Sequence, residues 1–345
     1  MTGEARQDFA FAFLSILFEG VPFILLGTLI SGFIDVYMPP GMIDRFLPRN
    51  KFLAVVAAAC LGAIFSVCEC AVVPVIRRLV RKGLPVSCAL TYMLAAPIVN
   101  PITALSTWKA FADQGIMIHG HMLSAQLVMT SGRLGLGFLV AVLVGWVVSR
   151  LPMSRVLKSN LVDDIGKAQE EVHDHDHSSH QHGDGCCGHD LHHDHHAPVP
   201  ARSGDQRLIA AFRSSLKDFV DVGVYFSIGI AITALFNTGI APGAAWLDSL
   251  ANRHILAPCA LMVLAFVLSL CSTSDAFIAA TLDKFTHGAK LAFLVFGPML
   301  DLKLLFLYQT VLNKKFLIAM AVALFVVIAA ATIGFQWYIE LPGPP

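Results

Sequence analysis

The sequence predicts an all-α polytopic membrane protein of about eight transmembrane helices in two four-helix repeats. Hydrophobic residues make up 56% of the 345 residues and charged residues only 14%, whereas a soluble domain carries about 25% charged residues. Apolar segments longer than the roughly 20 residues that cross a bilayer recur along the chain. Landmark residues of the first half also recur in the second half at a nearly constant distance.

The first apolar run, from Phe9 to Ile34, contains Glu19 and is longer than the core of a cleavable signal peptide. It is therefore interpreted as the first span. The eight predicted spans are 8–34, 52–80, 84–111, 133–151, 210–236, 255–283, 289–311 and 315–338. An alternative count of ten elements treats 70–82 and 274–285 as separate re-entrant helices.

Basic residues predict the orientation, because cytoplasmic flanks of membrane spans are enriched in Lys and Arg. Clusters follow the second and fourth spans and precede the fifth, at Arg77, Arg78, Arg81, Lys82, Arg150, Arg155, Lys158, Arg202, Arg207, Arg213 and Lys217. We therefore expect a multi-pass protein of the bacterial inner-membrane type, with both termini and the segment between the halves in the cytoplasm. Lys314 and Lys315 then lie outside, against the rule.

The chain divides into a first transmembrane repeat (1–151), a polar segment (152–208) and a second repeat (209–345). Residues separated by 201 to 203 positions pair Glu19 with Asp221, Gly27 with Gly229, Pro40 with Pro242, Cys68 with Cys271, Pro97 with Pro298 and Asn100 with Asp301. If four spans make one repeat, the two repeats run in the same direction. Transporters commonly hold their substrate between such repeats, near interrupted helices.

Two helices are predicted to be interrupted inside the membrane, at Cys68–Pro74 and at Pro97–Pro101. Pro74 has no backbone N–H, and its ring clashes with the carbonyl group of Cys70 in a regular helix. Prolines flank Asn100 in the second interruption. Irregular backbone at membrane depth is tolerated only where it is buried in protein or lines a cavity, so both interruptions are candidate substrate sites.

Cys68, Glu69 and Cys70 are the residues whose chemistry is most informative. Thiols with a carboxylate suit soft or borderline metal ions, and an ionisable residue within a span usually has a function. Residues i and i+2 of a regular helix point apart, and an interruption at Cys70 removes that obstacle to shared coordination. Further candidates for substrate binding are Pro74, Asn100, Cys271, Asp275 and Asp301.

Several of these residues have a structural alternative. Asn100 could cap carbonyl groups freed by the neighbouring prolines, Asp301 could pair with Lys303, and Cys271 could fill a helix interface. Glu19 and Asp221 have no positive partner in their own spans and are candidates for proton coupling, because desolvated carboxylates take up protons readily. Their alternative is hydrogen bonding to hydroxyl groups of neighbouring helices.

The polar segment between the halves is rich in metal-binding side chains. Its candidate ligands are His173, His175, His177, His180, His182, Cys186, Cys187, His189, His192, His193, His195 and His196. Imidazole, thiolate and carboxylate are the ligands of zinc and copper. Because the segment lacks apolar residues for a core, we expect it to be disordered without metal and to collect ions in the cytosol. The alternative is a solvated linker.

The motifs carry a family resemblance. Cys68-x-Cys70 with Pro74, a basic turn with glycine and Ala95-Ala96-Pro97-x-x-Asn100-Pro101 resembles the YraQ/ArsP-type permeases. That group of predicted efflux permeases includes exporters of trivalent organoarsenicals. The resemblance covers 8–151 and 210–338. Two features depart from the pattern of the arsenical permeases. The His-rich segment looks like the branch described as copper/zinc efflux transporters, and Glu69 stands where a small residue is more usual. Both departures favour a metal cation as the substrate.

The resemblance implies a secondary-active permease that exports Zn²⁺ or Cu⁺ from the cytosol, with the ion as substrate and as ligand of the loop. Alternatives are export of trivalent organoarsenicals, a membrane metal sensor and a thiol-dependent membrane enzyme. A formal net charge of zero gives no case for nucleic acid. The sequence contains no phosphate-binding glycine loop, so it does not predict an ATP-binding domain. Neither enzyme activity nor a catalytic cofactor is expected. The expected partners are the lipid bilayer and metal ions, with a homo-oligomer left open.

Overall fold

A computed structural model describes residues 3–38, 47–64, 68–112, 114–118, 121–159, 161, 204–240, 253 and 255–340. These residues form thirteen helices and one hairpin of two strands. The first half contains α1 (Gly3–Tyr37), α2 (Lys51–Ile64), α3 (Glu69–Arg81), α4 (Val86–Ala95), α5 (Pro101–Ala110), β1 (Gly115–Ile118), β2 (His121–Ser124), α6 (Ala125–Val148) and α7 (Met153–Val156). The second half contains α8 (Gly204–Ile240), α9 (Leu256–Leu268), α10 (Ser274–Thr281), α11 (His287–Met299), α12 (Leu302–Tyr308) and α13 (Lys314–Glu340).

The chain is an all-α polytopic membrane protein apart from the small hairpin. Among the described residues, five helical segments are long and apolar enough to cross a membrane, namely Arg6–Tyr37, Ala125–Val148, Gln206–Leu235, His287–Tyr308 and Lys314–Ile339. The fourth of these joins α11 and α12 across extended backbone at Asp301. The pair α4 and α5 is joined in a similar way across 96–100, which confirms the predicted interruption at Pro97–Pro101.

Many helices begin or end together at one end of the bundle, which we call the basic end. Lys82 Nζ donates to the backbone oxygen of Asp35 at 2.8 Å, so the ends of α1 and α3 meet there. Lys51 at the start of α2, Val86 at the start of α4 and Ser149 after α6 line one pocket. The backbone N–H of Asn313, just before α13, donates to Val156 in α7 at 2.9 Å.

The other end of the bundle carries the β1–β2 hairpin, and we call it the hairpin end. Gln114 Nε2 donates to the backbone oxygen of Ala280 at 3.0 Å, so α10 ends beside the hairpin. The N–H of Gly288 donates to Gln336 Oε1 at 2.8 Å, which brings the start of α11 to the end of α13. Ala265 of α9 packs against Gly297 of α11, so these two helices run in the same direction.

The second predicted span, 52–80, is not a single crossing, and the count of eight spans is not confirmed. Helix α2 starts at the basic end and runs inward until Gly62 lies against the backbone of Ala95 and Ala96. Helix α3 starts inside the bundle and returns to the basic end at Lys82. The two helices therefore form a hairpin, as the re-entrant alternative for 70–82 expected. Hydropathy cannot separate the two cases, because a returning segment is as apolar as a crossing one.

The two halves run in opposite directions, which corrects the expectation of parallel repeats. Helices α1 and α8 pack antiparallel, because Gly20 lies against Phe226 whereas Gly32 lies against Ser215. The repeat itself stays a prediction. Helix α1, about 50 Å long, ends at the basic end and therefore begins at the hairpin end, where α13 also ends. The outer ends of α1 and α13 thus lie at the end opposite Leu161 and Gly204, the described residues that flank the insert. The predicted placement of both termini and the insert in the cytoplasm stays a prediction.

The polar segment predicted at 152–208 is partly packed. The N–H of Lys158 donates to the backbone oxygen of Val311 at 3.0 Å, and Val156, Leu157 and Leu161 are buried. Helix α8 already begins at Gly204. Residues 162–203, with all the predicted histidine and cysteine ligands of the insert, lie outside the described residues. The division into three domains stays a prediction.

Candidate functional site

A small cavity lies where the interior ends of α3, α9 and α12 meet. Its lining includes Cys68, Glu69, Cys70, Cys271 and Lys303, together with Ile16, Glu19, Gly20, Phe23 and Phe226 from α1 and α8. The volume of the cavity is about 20 Å³. A space of at least about 10–15 Å³ on this measure holds one water molecule, so the cavity has room for one water or one dehydrated ion.

The local backbone explains how two thiols two positions apart face one cavity. Cys68 is extended, with φ −67° and ψ 159°, and precedes the first turn of α3, whereas Cys70 lies within that turn. Both thiols line the cavity. The predicted interruption thus lies before Glu69 rather than at Cys70, and Pro74 lies inside α3. Helix α3 continues through Pro74 because the surrounding helices bury it, and Ser31 Oγ donates to the Pro74 carbonyl group at 3.2 Å.

Lys303 brings a positive charge into this thiol cavity. Its Nζ donates to Glu69 Oε1 at 3.3 Å and lies 3.5 Å from Asp301 Oδ2. It also donates to the backbone oxygen atoms of Ser269 at 3.0 Å and Leu270 at 3.3 Å. Ser269 ends α9 with a left-handed backbone (φ 48°). The prediction that Asp301 pairs with Lys303 is confirmed.

This group of charges, which we call the central cluster, leaves acceptors unused. Glu69 and Asp301 are 2% and 1% exposed. Among the described residues, neither Glu69 Oε2 nor Asp301 Oδ2 has a hydrogen-bond donor. A buried carboxylate oxygen without a donor carries the full cost of its lost hydration. The central cluster thus has one ammonium group for two carboxylates and two oxygen atoms free to accept.

Asn100 and Asp301 occupy matching positions, each as the residue before a short helix that continues an interrupted one. Asn100 Oδ1 accepts from the N–H of Thr103 at 2.7 Å, and its amide donates to the carbonyl groups of Ala96 and Pro97. Asp301 Oδ1 accepts from the N–H of Leu304 at 2.7 Å. The polar atoms of Asn100 therefore all take part in helix capping, and Asn100 does not line the cavity. Asp301 uses one oxygen atom for capping, and its other oxygen atom faces Lys303.

Asp275 does not line the cavity but pairs with Arg133, a residue that sequence reasoning missed. Arg133 Nη2 lies 3.0 and 2.9 Å from the two carboxylate oxygen atoms of Asp275. The same guanidinium donates to the backbone of Ser272 and to the hydroxyl of Thr107. Arg133 looked like the flank of a span starting at 133, but α6 begins at Ala125, so its charge lies inside the helix. A charged residue within an apolar run was the signal in the sequence that could have identified Arg133.

Glu19 and Asp221 do not fit the expectation of partnerless buried carboxylates at equal depth. Both are exposed, and Asp221 lies 3.9 Å from Arg77. Because Gly20 packs against Phe226 in an antiparallel pair, Asp221 lies more than one helical turn nearer the basic end than Glu19 does. Glu19 nevertheless reaches the cavity lining. Neither residue's role in proton coupling is tested by these contacts.

A second ion-pair cluster ties the halves together near the basic end. Arg78 donates through Nε to Asp218 Oδ2 at 2.9 Å and through Nη2 to Oδ1 at 3.0 Å. Arg78 also contacts Asp35 at 3.2 Å and Ser214 at 2.9 Å, and Ser31 donates to Asp218 at 3.0 Å. We call these five residues the basic-end cluster. Every oxygen atom of Asp218 has a donor.

The described residues contain no preformed metal site, since no three of their His, Cys, Asp or Glu side chains stand close enough together to hold an ion. The cavity lining offers thiols from both halves and the free carboxylate oxygen of Glu69 instead. Such a set binds a thiophilic species only if the side chains move toward it.

Known proteins resemble this chain over nearly its whole length. A family model described as "Predicted permease" matches residues 7–336. The UPF0718 protein YcgR of Bacillus subtilis (strain 168) is 32% identical over 323 residues, covering 93% of this chain and 94% of that protein. A Streptococcus mutans protein named "Putative two-component membrane permease complex subunit" is 30% identical over 307 residues, covering 89% and 87%.

A UPF0718 protein of Methanocaldococcus jannaschii is 30% identical over 100 residues, covering 29% of this chain and 27% of that protein. No solved structure matches the chain significantly. The family match and the two nearly full-length relatives agree with the apolar helices and the interrupted backbone around an internal cavity. The chain therefore belongs to the ArsP-type family of predicted permeases, and by that membership it is a membrane permease.

Proposed function

We propose that this permease exports a thiophilic metal cation, Zn²⁺ or Cu⁺, through the central cavity by secondary transport. The observation that carries the proposal is the lining itself, which combines three thiols with a buried carboxylate oxygen that has no donor among the described residues. Thiolate and carboxylate groups are ligands of these ions. Cys68, Cys70 and Cys271 bind the ion as thiolates, releasing their protons on binding, and Glu69 Oε2 adds an oxygen ligand.

The distribution of basic residues supports a cytoplasmic basic end. The described residues place fourteen Lys and Arg at that end, namely Arg49, Lys51, Arg77, Arg78, Arg81, Lys82, Arg150, Arg155, Lys158, Arg207, Arg213, Lys217, Lys314 and Lys315. Only five flank the hairpin end, namely Arg6, Lys109, Arg253, Lys284 and Lys290. By the positive-inside rule, the insert between α7 and α8 is then cytosolic, and both termini are on the other side. Lys314 and Lys315 no longer violate the rule.

The antiparallel halves support an inverted repeat. Each half contains a long helix, an inner hairpin, an interrupted helix and a second long helix, in that order. Inverted repeats with interrupted helices place the substrate near the middle of the bilayer and expose it to each side in turn. The central cavity lies at the interruptions, between Glu69 of the first half and Lys303 of the second. All of these residues belong to one chain, so a second subunit, as in the complex named for the streptococcal relative, would leave the site intact.

The histidine-rich insert fits a collector at the cytosolic entrance. Its closely spaced imidazole and thiol groups, from His173 to His196, bind zinc and copper without needing an ordered fold. A tethered ligand cluster raises the local concentration of ions near the cavity. We infer that it increases export at low metal concentration and adds little once the cavity is saturated.

A trivalent organoarsenical is the second candidate substrate, and one observation favours it. The Lys303 ammonium lies within the cavity lining, where it repels a cation but not a neutral arsenical. Three thiols also suit arsenic(III). The two candidates differ in charge, so they respond differently to removal of Lys303.

Flux into liposomes tests the proposal. Zn²⁺, Cu⁺ and methylarsenite are compared for the wild type, the Cys68→Ser/Cys70→Ser variant and a deletion of 173–196. The matched control is Cys60→Ser/Cys259→Ser, which removes two thiols outside the cavity lining. We expect metal flux to be lost in the first variant, slowed at low metal in the deletion and unchanged in the control.

Metal flux in the Cys68→Ser/Cys70→Ser variant equal to that of the wild type would contradict the assignment of the site. Flux of methylarsenite without flux of either metal would instead establish the second candidate and make the insert incidental to transport.

A further inference from the structure

We propose that the Lys303 ammonium is a tethered stand-in for the transported cation. It pairs with Glu69 when the cavity holds no metal ion, and it withdraws to Asp301 when an ion takes Glu69. This inference rests on the proposed function, because it assigns the group that competes with the substrate at the same site. It assigns to Lys303 the selection between charged and neutral substrates.

The surroundings of Lys303 Nζ resemble those of a bound cation. Four oxygen atoms surround it, from Glu69 at 3.3 Å, Ser269 at 3.0 Å, Leu270 at 3.3 Å and Asp301 at 3.5 Å. A firm ammonium–carboxylate hydrogen bond is about 2.7–2.9 Å long. Both carboxylate contacts are longer than that, so neither carboxylate holds the ammonium tightly. The ammonium is therefore shared between Glu69 and Asp301 and can move toward either.

The unused oxygen atoms make the exchange possible. Glu69 lines the cavity, and its buried Oε2 has no donor among the described residues, so it can accept a metal ion. Asp301 Oδ2 also lacks a donor there, so it can take the whole of the ammonium. A buried charge without a partner is strongly unfavourable. Asp301 removes that penalty, because Lys303 keeps a carboxylate when it leaves Glu69.

The exchange also changes what joins the two halves. Glu69 belongs to α3 in the first half, and both Lys303 and Asp301 lie at the start of α12 in the second half. In the empty cavity, the Lys303–Glu69 contact joins the halves. With an ion bound, the joint passes through the ion itself, from Cys68 and Cys70 on one side to Cys271 on the other. The empty permease thus keeps a charge balance close to that of the loaded one.

Equilibrium binding of Zn²⁺ to the purified full-length chain in detergent tests the inference. Zn²⁺ bound by the insert is subtracted by using the Cys68→Ser/Cys70→Ser variant. Lys303→Met removes the competitor, so we expect Zn²⁺ to bind on the order of tenfold more tightly, the change that about 1.4 kcal/mol gives. Release is then slower, and the maximal flux in liposomes falls. Lys290→Met is the matched control, since Lys290 is equally buried but lies outside the cavity lining.

Asp301→Asn is the second variant, and asparagine preserves the cap of α12. It leaves the displaced ammonium without a carboxylate, so we expect Zn²⁺ to bind roughly tenfold more weakly. The double variant Lys303→Met/Asp301→Asn separates an exchange from a simple field effect. If Asp301 acts by receiving Lys303, Asp301→Asn has no further effect once Lys303 is gone. Methylarsenite binding should not tighten in Lys303→Met, because a neutral substrate does not replace a charge.

The inference is overturned if the effects of the two substitutions add in the double variant, or if Lys303→Met leaves Zn²⁺ affinity unchanged. Either result leaves the proposed function standing, provided that Cys68→Ser/Cys70→Ser still loses Zn²⁺ flux. Zn²⁺ flux that survives that thiol substitution overturns both. If Lys303→Met does not fold, Lys303→Gln, which also removes the charge, replaces it in the single and the double variant.

Discussion

The central cluster and the basic-end cluster both join the two halves through buried ions, but they differ in how completely those ions are paired. In the basic-end cluster, Arg78 meets both oxygen atoms of Asp218 at 2.9 and 3.0 Å, and Ser31 adds a third hydrogen bond. In the central cluster, Lys303 reaches Glu69 at 3.3 Å and two carboxylate oxygen atoms have no donor among the described residues.

The chemistry of the two basic side chains explains part of this difference. A guanidinium group is a rigid fork that matches a carboxylate through two parallel hydrogen bonds, whereas an ammonium group is a compact charge on a flexible chain. Arg78 uses the fork on Asp218 of the other half, and Arg133 contacts both oxygen atoms of Asp275 through Nη2 alone. Lys303 is free to move between two carboxylates. The comparison suggests that saturated pairs hold the halves together and that the unsaturated one takes part in transport.

Removing one partner of the saturated pair should have the largest effect on stability. Asp218→Ala leaves Arg78 buried with only Asp35 as a carboxylate partner, and breaking a buried pair in this way costs about 3–5 kcal/mol. Unfolding of the protein in mixed micelles measures the loss. The control Asp8→Ala removes an exposed carboxylate. Unchanged stability together with lost Zn²⁺ flux would mean that this cluster, too, belongs to the transport site.

Close helix packing near the central cluster should matter next. A Cβ atom at Gly27 would come within 2.6 Å of the backbone oxygen of Ala71 in α3, and overpacking of this kind costs about 1–3 kcal/mol. Gly223→Ala is the matched control, because a Cβ there meets no atom within 4 Å. We expect a lower melting temperature for Gly27→Ala only. Equal melting temperatures for both variants would show that α1 and α3 can separate without cost.

Replacing both partners of the basic-end pair should cost less than removing one. In Arg78→Met/Asp218→Leu no unpaired charge remains, and such replacements are often close to neutral in stability. We expect a loss of about 1 kcal/mol or less, well below that of Asp218→Ala, in the same micelle assay. If the double variant is as unstable as the single one, the hydroxyl groups of Ser31 and Ser214 cost stability when they lose their hydrogen bonds to Asp218 and Arg78.

The central cluster should give the smallest change in stability and a large change in transport. In Glu69→Gln, Lys303 keeps Asp301 and two backbone carbonyl groups. The contact that is lost is 3.3 Å long, so we expect the free energy of unfolding to fall by about 1 kcal/mol, the net contribution of one hydrogen bond. Zn²⁺ flux in liposomes should fall at least about tenfold, because the oxygen ligand loses its charge. Flux at the level of the wild type would remove Glu69 from the site.

Several features of the site could be predicted from the sequence because they depend on local chemistry. Prolines around Asn100 predicted the interruption between α4 and α5, since a missing N–H acts within one helical turn. The spacing of Cys68 and Cys70 predicted that a break was needed for a shared site, and the break lies just before Glu69. The pair of Asp301 with Lys303 was visible as opposite charges two positions apart in an apolar segment.

The sequence by itself determined that this chain enters the membrane and that the backbone is interrupted between α4 and α5. Which thiols meet a substrate stays a prediction. Only the tertiary structure decided that α2 and α3 turn back instead of crossing, that the halves run antiparallel, and that Arg133 meets Asp275 and Lys303 meets Glu69. Hydropathy records only that a segment is apolar. Its direction and its charge partners depend on which helices pack beside it, through small residues and hydrogen bonds far apart in the chain.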